Sequence, residues 1–71
     1  MINVEYGDVI QANEEAKEWV GCLLIVEEVK DWGVIAGLKI PQQGTAYIRL
    51  KFTEFEKIGK AVLVPVKEEE N

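Results

Sequence analysis

The 71-residue sequence predicts an all-β protein: a small five-stranded SH3-like barrel with one short helical turn before its last strand. Three observations support this class. Short apolar segments are separated by turn signals, one segment alternates strictly between apolar and polar residues, and a helix-start signal precedes the final apolar segment. An OB-like barrel is the alternative, although that fold usually has a longer chain and a longer helix between strands three and four.

Length and composition limit the kind of protein. A chain of this size forms one domain, near the lower limit for a self-supporting core. We assign residues 1–66 to the barrel and residues 67–71 to a solvated acidic tail. The 48% hydrophobic content argues against disorder, and no apolar run is long enough to span a membrane. The N-terminus lacks a signal-peptide pattern and the one cysteine suits a reducing compartment, so we expect a cytoplasmic protein.

The first half of the chain contains two predicted strands. Residues 1–11 form the first, interrupted at Gly7-Asp8 by a bulge or a bend. Residues 12–18 predict a long loop, with a helical turn capped by Asn13 as the alternative. Residues 20–29 are apolar at both parities, which predicts a strand buried on both faces, with Gly21 as a bend.

A turn at residues 30–33 leads from this strand into the next, with Gly33 able to adopt positive φ. Trp19 is expected to line the core and Cys22 to act as a small buried hydrophobe. Trp32 has two interpretations: a lid over one end of the core, or a half-exposed aromatic contact on a binding surface.

The second half continues with residues 34–40, a strand broken by Gly37, and a turn at residues 41–44. Residues 45–52 show the clearest alternation, which places four side chains inward and three outward. The inward ones are Ala46, Ile48, Leu50 and Phe52, and the outward ones are Tyr47, Arg49 and Lys51.

Residues 53–59 predict the helical turn, and residues 61–66 predict the final strand. The signals for the turn are a T-x-x-E capping box, two apolar residues spaced i, i+3 and a glycine at the C-terminal end. They are Thr53 with Glu56, Phe55 with Ile58, and Gly59.

Most catalytic chemistry is excluded by composition. The chain has no histidine and no serine, and neither a phosphate-binding glycine loop nor metal-ligand spacing is present. We therefore expect no enzyme, no cofactor and no metal site, and predict a non-catalytic module that binds a protein partner. Its binding residues would be Trp32, Tyr47, Arg49 and Lys51, because aromatic and arginine side chains concentrate binding energy.

Two alternatives remain open. Tyr47, Arg49 and Lys51, with Lys39 beside them, could form a face for single-stranded nucleic acid, although the net charge of −5 disfavours it. An exposed edge strand could instead pair between copies in a structural, self-assembling homo-oligomer. No membrane partner is expected.

Five segments resemble small uncharacterised proteins encoded by bacteriophages and prophages of Firmicutes-type bacteria. These are GDVI, WVG, VEEVKDWGV, GTAYIRL and FEKIGKAV, at residues 7–10, 19–21, 26–34, 44–50 and 55–62. The resemblance implies an SH3-like barrel in an intracellular, phage-related setting, with a host or phage protein as the partner. It implies no active site.

Overall fold

The computed structural model describes residues 3–61, which form one antiparallel sheet and two short 3₁₀ segments. The strands are β1 (Asp8–Ala12), β2 (Leu23–Val29), β3 (Gly33–Ile40), β4 (Gly44–Lys51) and β5 (Phe55–Lys60). The 3₁₀ segments are η1 (Glu14–Trp19) and η2 (Phe52–Glu54). The strand order is β4-β3-β2-β1-β5. This confirms the predicted mainly-β, five-stranded SH3-like class with a short helical turn directly before the last strand.

The core lies on one side of the sheet. Every strand contributes alternate side chains to it, and Ala16 of η1 closes it. The buried set is Ile10, Ala12, Ala16, Leu24, Val26, Val34, Ala36, Ile48, Leu50 and Phe55. Trp19 and Cys22 are half-buried and pack against this cluster, which confirms that Trp19 lines the core.

The expectation that residues 20–29 are buried on both faces is wrong. Leu24 and Val26 are buried, but Leu23 is 54% exposed and Ile25 is 40% exposed. The residues described here supply only one core, so a strand in the middle of the sheet has one covered face. The other side of the sheet, which we call the outer face, is left open with apolar side chains on it.

The first strand is shorter than predicted because the chain bends at Gly7. This residue has φ of +89°, a left-handed conformation that glycine adopts without a steric penalty. Its N–H donates to the Val26 carbonyl (2.9 Å) and its own carbonyl accepts from Ala61 (2.7 Å). The bend therefore ties the start of β1 to both neighbouring strands.

The segment between β1 and β2 forms two short 3₁₀ turns joined by a kink at Lys17, and not the predicted loop. The alternative interpretation, a turn capped by Asn13, is confirmed: its side chain accepts from the backbone N–H of Glu15 at 2.8 Å. The same amide donates to the Thr53 carbonyl at 3.0 Å. One residue therefore caps η1 and fastens it to η2, which offsets the poor local propensity of so short a polar segment.

The β2–β3 turn is confirmed, but its glycine has another role than the one predicted. Gly33 does not have positive φ. It pairs with Lys51, and a Cβ on Gly33 would overlap the carbonyl oxygen of Leu50 and lie 2.8 Å from the Cα of Lys51. Close approach of two backbones, and not turn geometry, requires glycine here.

Strand β3 runs without a break through Gly37, contrary to the prediction, because its ladder with β4 is regular over the whole strand. The turn predicted at residues 41–44 is confirmed. Gln42 and Gly44 have φ of +67° and +102°, and the N–H of Gln43 donates to the Ile40 carbonyl at 3.0 Å.

The helical turn predicted over residues 53–59 is wrong beyond Glu54. The Glu54 carboxylate, and not that of Glu56, reaches back along the chain and accepts from the N–H of Lys51 at 2.7 Å. Phe55 is then buried opposite Ala12 in the β1–β5 ladder. Extended backbone brings this large side chain into the core, which outweighs the local helix signals. Of the strand predicted at residues 61–66, all but Ala61 lies outside the described residues, as does the tail at 67–71.

Candidate binding surface

An apolar row crosses the outer face from one edge of the sheet to the other. One residue comes from each strand, and each is the direct register partner of the next: Tyr47, Gly37, Ile25, Val9 and Gly59. We call these five the cross-sheet row. An antiparallel sheet with one solvated face normally presents polar side chains there, so this row is unusual.

The level beside the row has one apolar residue, Leu23, among the polar residues Thr45, Lys39, Gln11 and Glu56. Leu23 precedes Ile25 on the same face of β2, and Ile58, which lies where the β1–β5 register shifts, is 52% exposed. Val9, Ile25 and Gly37 line a shallow groove of about 230 Å³ with Lys39 at its rim. Contiguous exposed apolar surface of this kind makes the outer face a candidate interaction surface.

Leu23 and Ile25 were not predicted as surface residues, whereas Tyr47 was. The signal was present, since residues 20–29 are apolar at both parities. It was interpreted as burial on both sides, whereas so short a chain covers only one face of this sheet. Apolar side chains on the uncovered face of β2 are the feature that identifies the groove.

Strand β4 presents the predicted binding residues side by side. Tyr47, Arg49 and Lys51 are exposed on the outer face while Ile48 and Leu50 are buried. The predicted alternation is therefore confirmed. We call the outward residues Tyr47, Arg49 and Lys51 of β4 the basic strip. Tyr47, at 64% exposure, also ends the cross-sheet row, so its side chain belongs both to the basic strip and to the apolar surface.

Trp32 lies at one end of this strip. It precedes Gly33, which pairs with Lys51, and Tyr47 is four residues further along β4, or about 13 Å away. Its side chain is 44% exposed and is absent from the half-buried residues that pack on the core. With 44% of its side chain exposed, both interpretations of Trp32, the lid and the surface contact, stay predictions.

Acidic side chains border the same strip. Glu27 and Glu28 line a shallow cleft with Ile35 and Tyr47. Glu28 forms an ion pair with Lys30 at 2.9 Å. The outer face is thus basic along β4 and acidic along β2, so its charge changes in the direction of the cross-sheet row.

The most unusual polar group lies on the core side of the sheet. Asp8 is fully buried, and its Oδ2 accepts from the backbone N–H of Glu5 at 2.7 Å. Lys57 Nζ is 3.4 Å from Oδ2 and Lys60 Nζ is 3.9 Å from Oδ1. The N–H of Glu5, and then the two lysines, hold the pKa of Asp8 below its ordinary value of 3.8, although burial opposes them.

Metal and membrane features were sought in the same part of the chain. Residues 3–61 contain no group of three or more His, Cys, Asp or Glu side chains that could hold a metal ion. No helix within this range is long and apolar enough to cross a membrane.

Comparison with known proteins gives no match: no family model, curated protein or solved structure is similar to the chain. The functional argument therefore rests on the geometry of the outer face.

Proposed function

We propose that this protein is a non-catalytic binding module whose outer face captures a protein partner. The observation that supports this most strongly is the cross-sheet row, because an open apolar groove across a small domain costs solubility unless something covers it. A phage-related, cytoplasmic setting with a host or phage protein as partner belongs to the same proposal.

The anchors in this proposal are Trp32, Tyr47 and Arg49, with Lys51 at the rim. Interfaces derive most of their binding energy from a few aromatic and arginine side chains surrounded by residues that exclude water. Here the exposed ring of Tyr47 adjoins both the apolar groove and Arg49. A partner segment would insert apolar side chains into the groove and place acidic groups against Arg49.

Replacing single anchors tests the proposal. We expect Trp32→Ala and Tyr47→Ala each to weaken capture of the partner at least about ten-fold. Truncating an anchor commonly costs about 2 kcal/mol of binding free energy, and about 1.4 kcal/mol corresponds to a ten-fold change in affinity. The thermal midpoint should stay within a few degrees, because neither side chain is in the core. Capture would be measured with immobilised protein and quantitative mass spectrometry of one enriched partner.

Tyr6→Ala is the matched control, because Tyr6 is an exposed aromatic residue outside the strands. It should leave capture unchanged. A large fall in the midpoint of the Trp32 variant would assign that side chain to the fold, and equal capture by all three variants would remove the outer face from consideration.

A second candidate function is the binding of single-stranded nucleic acid. It is favoured by one observation, the exposed alignment of Tyr47, Arg49 and Lys51 on β4. Stacking on an aromatic ring between basic side chains is how such modules hold a strand. The acids at Glu27 and Glu28 beside Tyr47 act against it, since they repel phosphate.

A further inference from the structure

Strand β4 forms one edge of the sheet: within residues 3–61 it has β3 on one side and no strand on the other. Its ladder with β3 is regular from Gly44 to Lys51. The opposite edge, β5, has a register shift, and two of its lysines are engaged with Asp8. Proteins blunt exposed edges with bulges and prolines, among other devices, because unpaired backbone groups attract another strand. Strand β4 contains no proline and no bulge, so its edge is the more open one.

Hydrogen bonds at one end of the ladder show which backbone groups of β4 are free. The Gly33 carbonyl accepts from the N–H of Lys30 at 2.7 Å, so the polar groups of Gly33 point toward β2. They point away from its register partner, Lys51. The N–H of Lys51 in turn points away from β3, where the Glu54 carboxylate accepts it at 2.7 Å. Both observations make Gly33 and Lys51 a non-hydrogen-bonded pair.

The same assignment extends over the whole of β4, because hydrogen-bonded and non-hydrogen-bonded pairs alternate along an antiparallel ladder. Leu50 and every second residue before it bond to β3. Thr45, Tyr47 and Arg49 instead direct their N–H and C=O groups away from the sheet. Among residues 3–61 none of these groups has a hydrogen-bond partner. The edge therefore presents evenly spaced donor and acceptor groups that are centred on Tyr47.

We propose that β4 pairs with β4 of a second copy of this chain, antiparallel about a two-fold axis that passes Tyr47 perpendicular to the sheet. In this register Tyr47 lies opposite Tyr47 of the other copy, and Thr45 lies opposite Arg49 of the other copy. Every free N–H and C=O group of the edge then has a partner. This inference goes beyond the proposed function, because it concerns the backbone edge of β4 and not the side chains of the outer face.

Neighbouring registers are less favourable. An axis at Ile48 draws Lys51 into the new ladder, although its N–H is already bonded. An axis at Arg49 sets two arginines directly opposite each other, which destabilises a strand pair. An axis at Ala46 places Arg49 opposite the β3–β4 turn, where it loses a partner strand. The axis at Tyr47 avoids all three costs, since it sets an uncharged threonine opposite each arginine.

The side chains beside the axis also suit a second copy. On the core side, Ala46 lies opposite Ile48 of the other copy, next to the buried cluster to which Ile48 belongs. On the outer face the two Tyr47 rings are adjacent, and aromatic cross-strand pairs stabilise a sheet. Apolar side chains therefore meet on one side of the joined sheet and rings on the other, with no like charges opposed within the paired stretch.

This geometry has a consequence for the outer face. Because the axis is perpendicular to the sheet, the outer faces of both copies point the same way, and their basic strips lie side by side. The dimer is weak, since so short a paired stretch buries less than the roughly 1,200 Å² of a stable interface. Association should therefore depend on concentration, and the dimer offers a partner two adjacent copies of the same surface.

Replacing Thr45 by proline tests the pairing. Proline has no N–H, and it is tolerated on an edge strand where that N–H faces away from the neighbouring strand, as it does at Thr45. In sedimentation equilibrium over about 10 μM to about 1 mM, we expect Thr45→Pro to weaken association at least about ten-fold. Thr45→Ala is the matched control, because it removes the same side chain but keeps the N–H. It should associate within about three-fold of the original chain.

Amide hydrogen exchange gives a second measurement on the original chain, which does not depend on any variant folding. The amides of Thr45, Tyr47 and Arg49 should exchange more slowly as concentration rises, in proportion to the dimer fraction. The amide of Lys51, held by Glu54, should not respond to concentration. Nor should those that bond to β3.

The register is tested by NMR in a mixture of isotope-labelled and unlabelled chains. The proposed axis brings the Cα atoms of Ala46 and Ile48 from different copies to about 4.5 Å, so a cross-peak between their Hα protons is expected. A cross-peak from Ile48 to Ile48 of the other copy would instead place the axis at Ile48 and overturn the register.

Three further results would overturn the inference. They are an original chain that is monomeric over the whole range, equal association of Thr45→Pro and Thr45→Ala, and concentration-dependent protection at amides other than the three free ones. None of them bears on the proposed function, because Thr45 is not one of its anchors. That function is judged separately by partner capture in Trp32→Ala and Tyr47→Ala.

Discussion

At the scale of single residues, Asp8 joins the segment before β1 to strand β5. Its carboxylate holds the N–H of Glu5 and attracts Lys57 and Lys60 from β5. A buried charge is tolerated only when it is paired in this way. The sequence motif Gly7-Asp8 indicated a bend, but nothing in the sequence alone indicated that the aspartate would face inward toward two lysines far along the chain.

Because its pKa is lowered in the folded state, Asp8 should make stability depend on pH in a defined direction. Its contribution is present above the ordinary value of 3.8 and is lost as pH falls through the lowered pKa. We expect Asp8→Asn to melt at a lower temperature than the original chain at pH 7. The difference between their midpoints should shrink as pH falls below about 4.

Thermal melts of both chains from pH 7 to pH 2 would measure this difference. Lys17→Gln serves as the control, because Lys17 is exposed and does not contact Asp8. A difference between the original chain and Asp8→Asn that stays constant over the whole pH range would show that the charge of Asp8 contributes nothing to stability.

At the scale of elements, local pattern and long-range packing differ in what they decide. The strict alternation of β4 was enough to predict both of its faces, since its period matches the pleat of a strand. Residues 53–59 carried equally good helix signals, yet Phe55 and Ile58 lie in a strand, one buried and one exposed. The deciding contact, Phe55 opposite Ala12, joins residues too far apart for any local pattern to reveal.

The β3–β4 ladder supplies a second prediction, because it needs glycine at its first position. A Cβ at Gly33 would collide with the backbone at Leu50 and Lys51, which cannot move as a side chain tip can. We expect Gly33→Ala to destabilise the fold by about 2 kcal/mol, in the range of overpacking substitutions. Urea unfolding at equilibrium would measure it.

Gly59→Ala is the matched control for this change. It also places a methyl group on a strand glycine of non-positive φ, but into open space. Its free energy of unfolding should differ little from that of the original chain. Equal stability of the two variants would mean that β3 and β4 separate at Gly33 without cost.

At the scale of the whole molecule, the outer face follows from a mismatch between composition and size. The chain is 48% hydrophobic, and its single core buries only part of that, so that Leu23, Ile25 and Tyr47 lie exposed together on the outer face. The alternation of β4 was enough to predict that Tyr47, Arg49 and Lys51 are exposed. The groove beside them required knowledge of which face of β2 is covered, and that depends on the topology of all five strands.

The charge of the whole molecule allows a decision between the two classes of partner. With a net charge of −5, and with Glu27 and Glu28 beside Tyr47, the basic strip on β4 is too small to neutralise many phosphates. We expect no saturable binding of a mixed-sequence single-stranded oligonucleotide. An amide NMR titration at low and at moderate salt would measure it residue by residue. Shifts confined to Lys39 and residues 47–51, and weakened by salt, would instead establish the nucleic-acid function, because only phosphate contacts on β4 release counterions in that way.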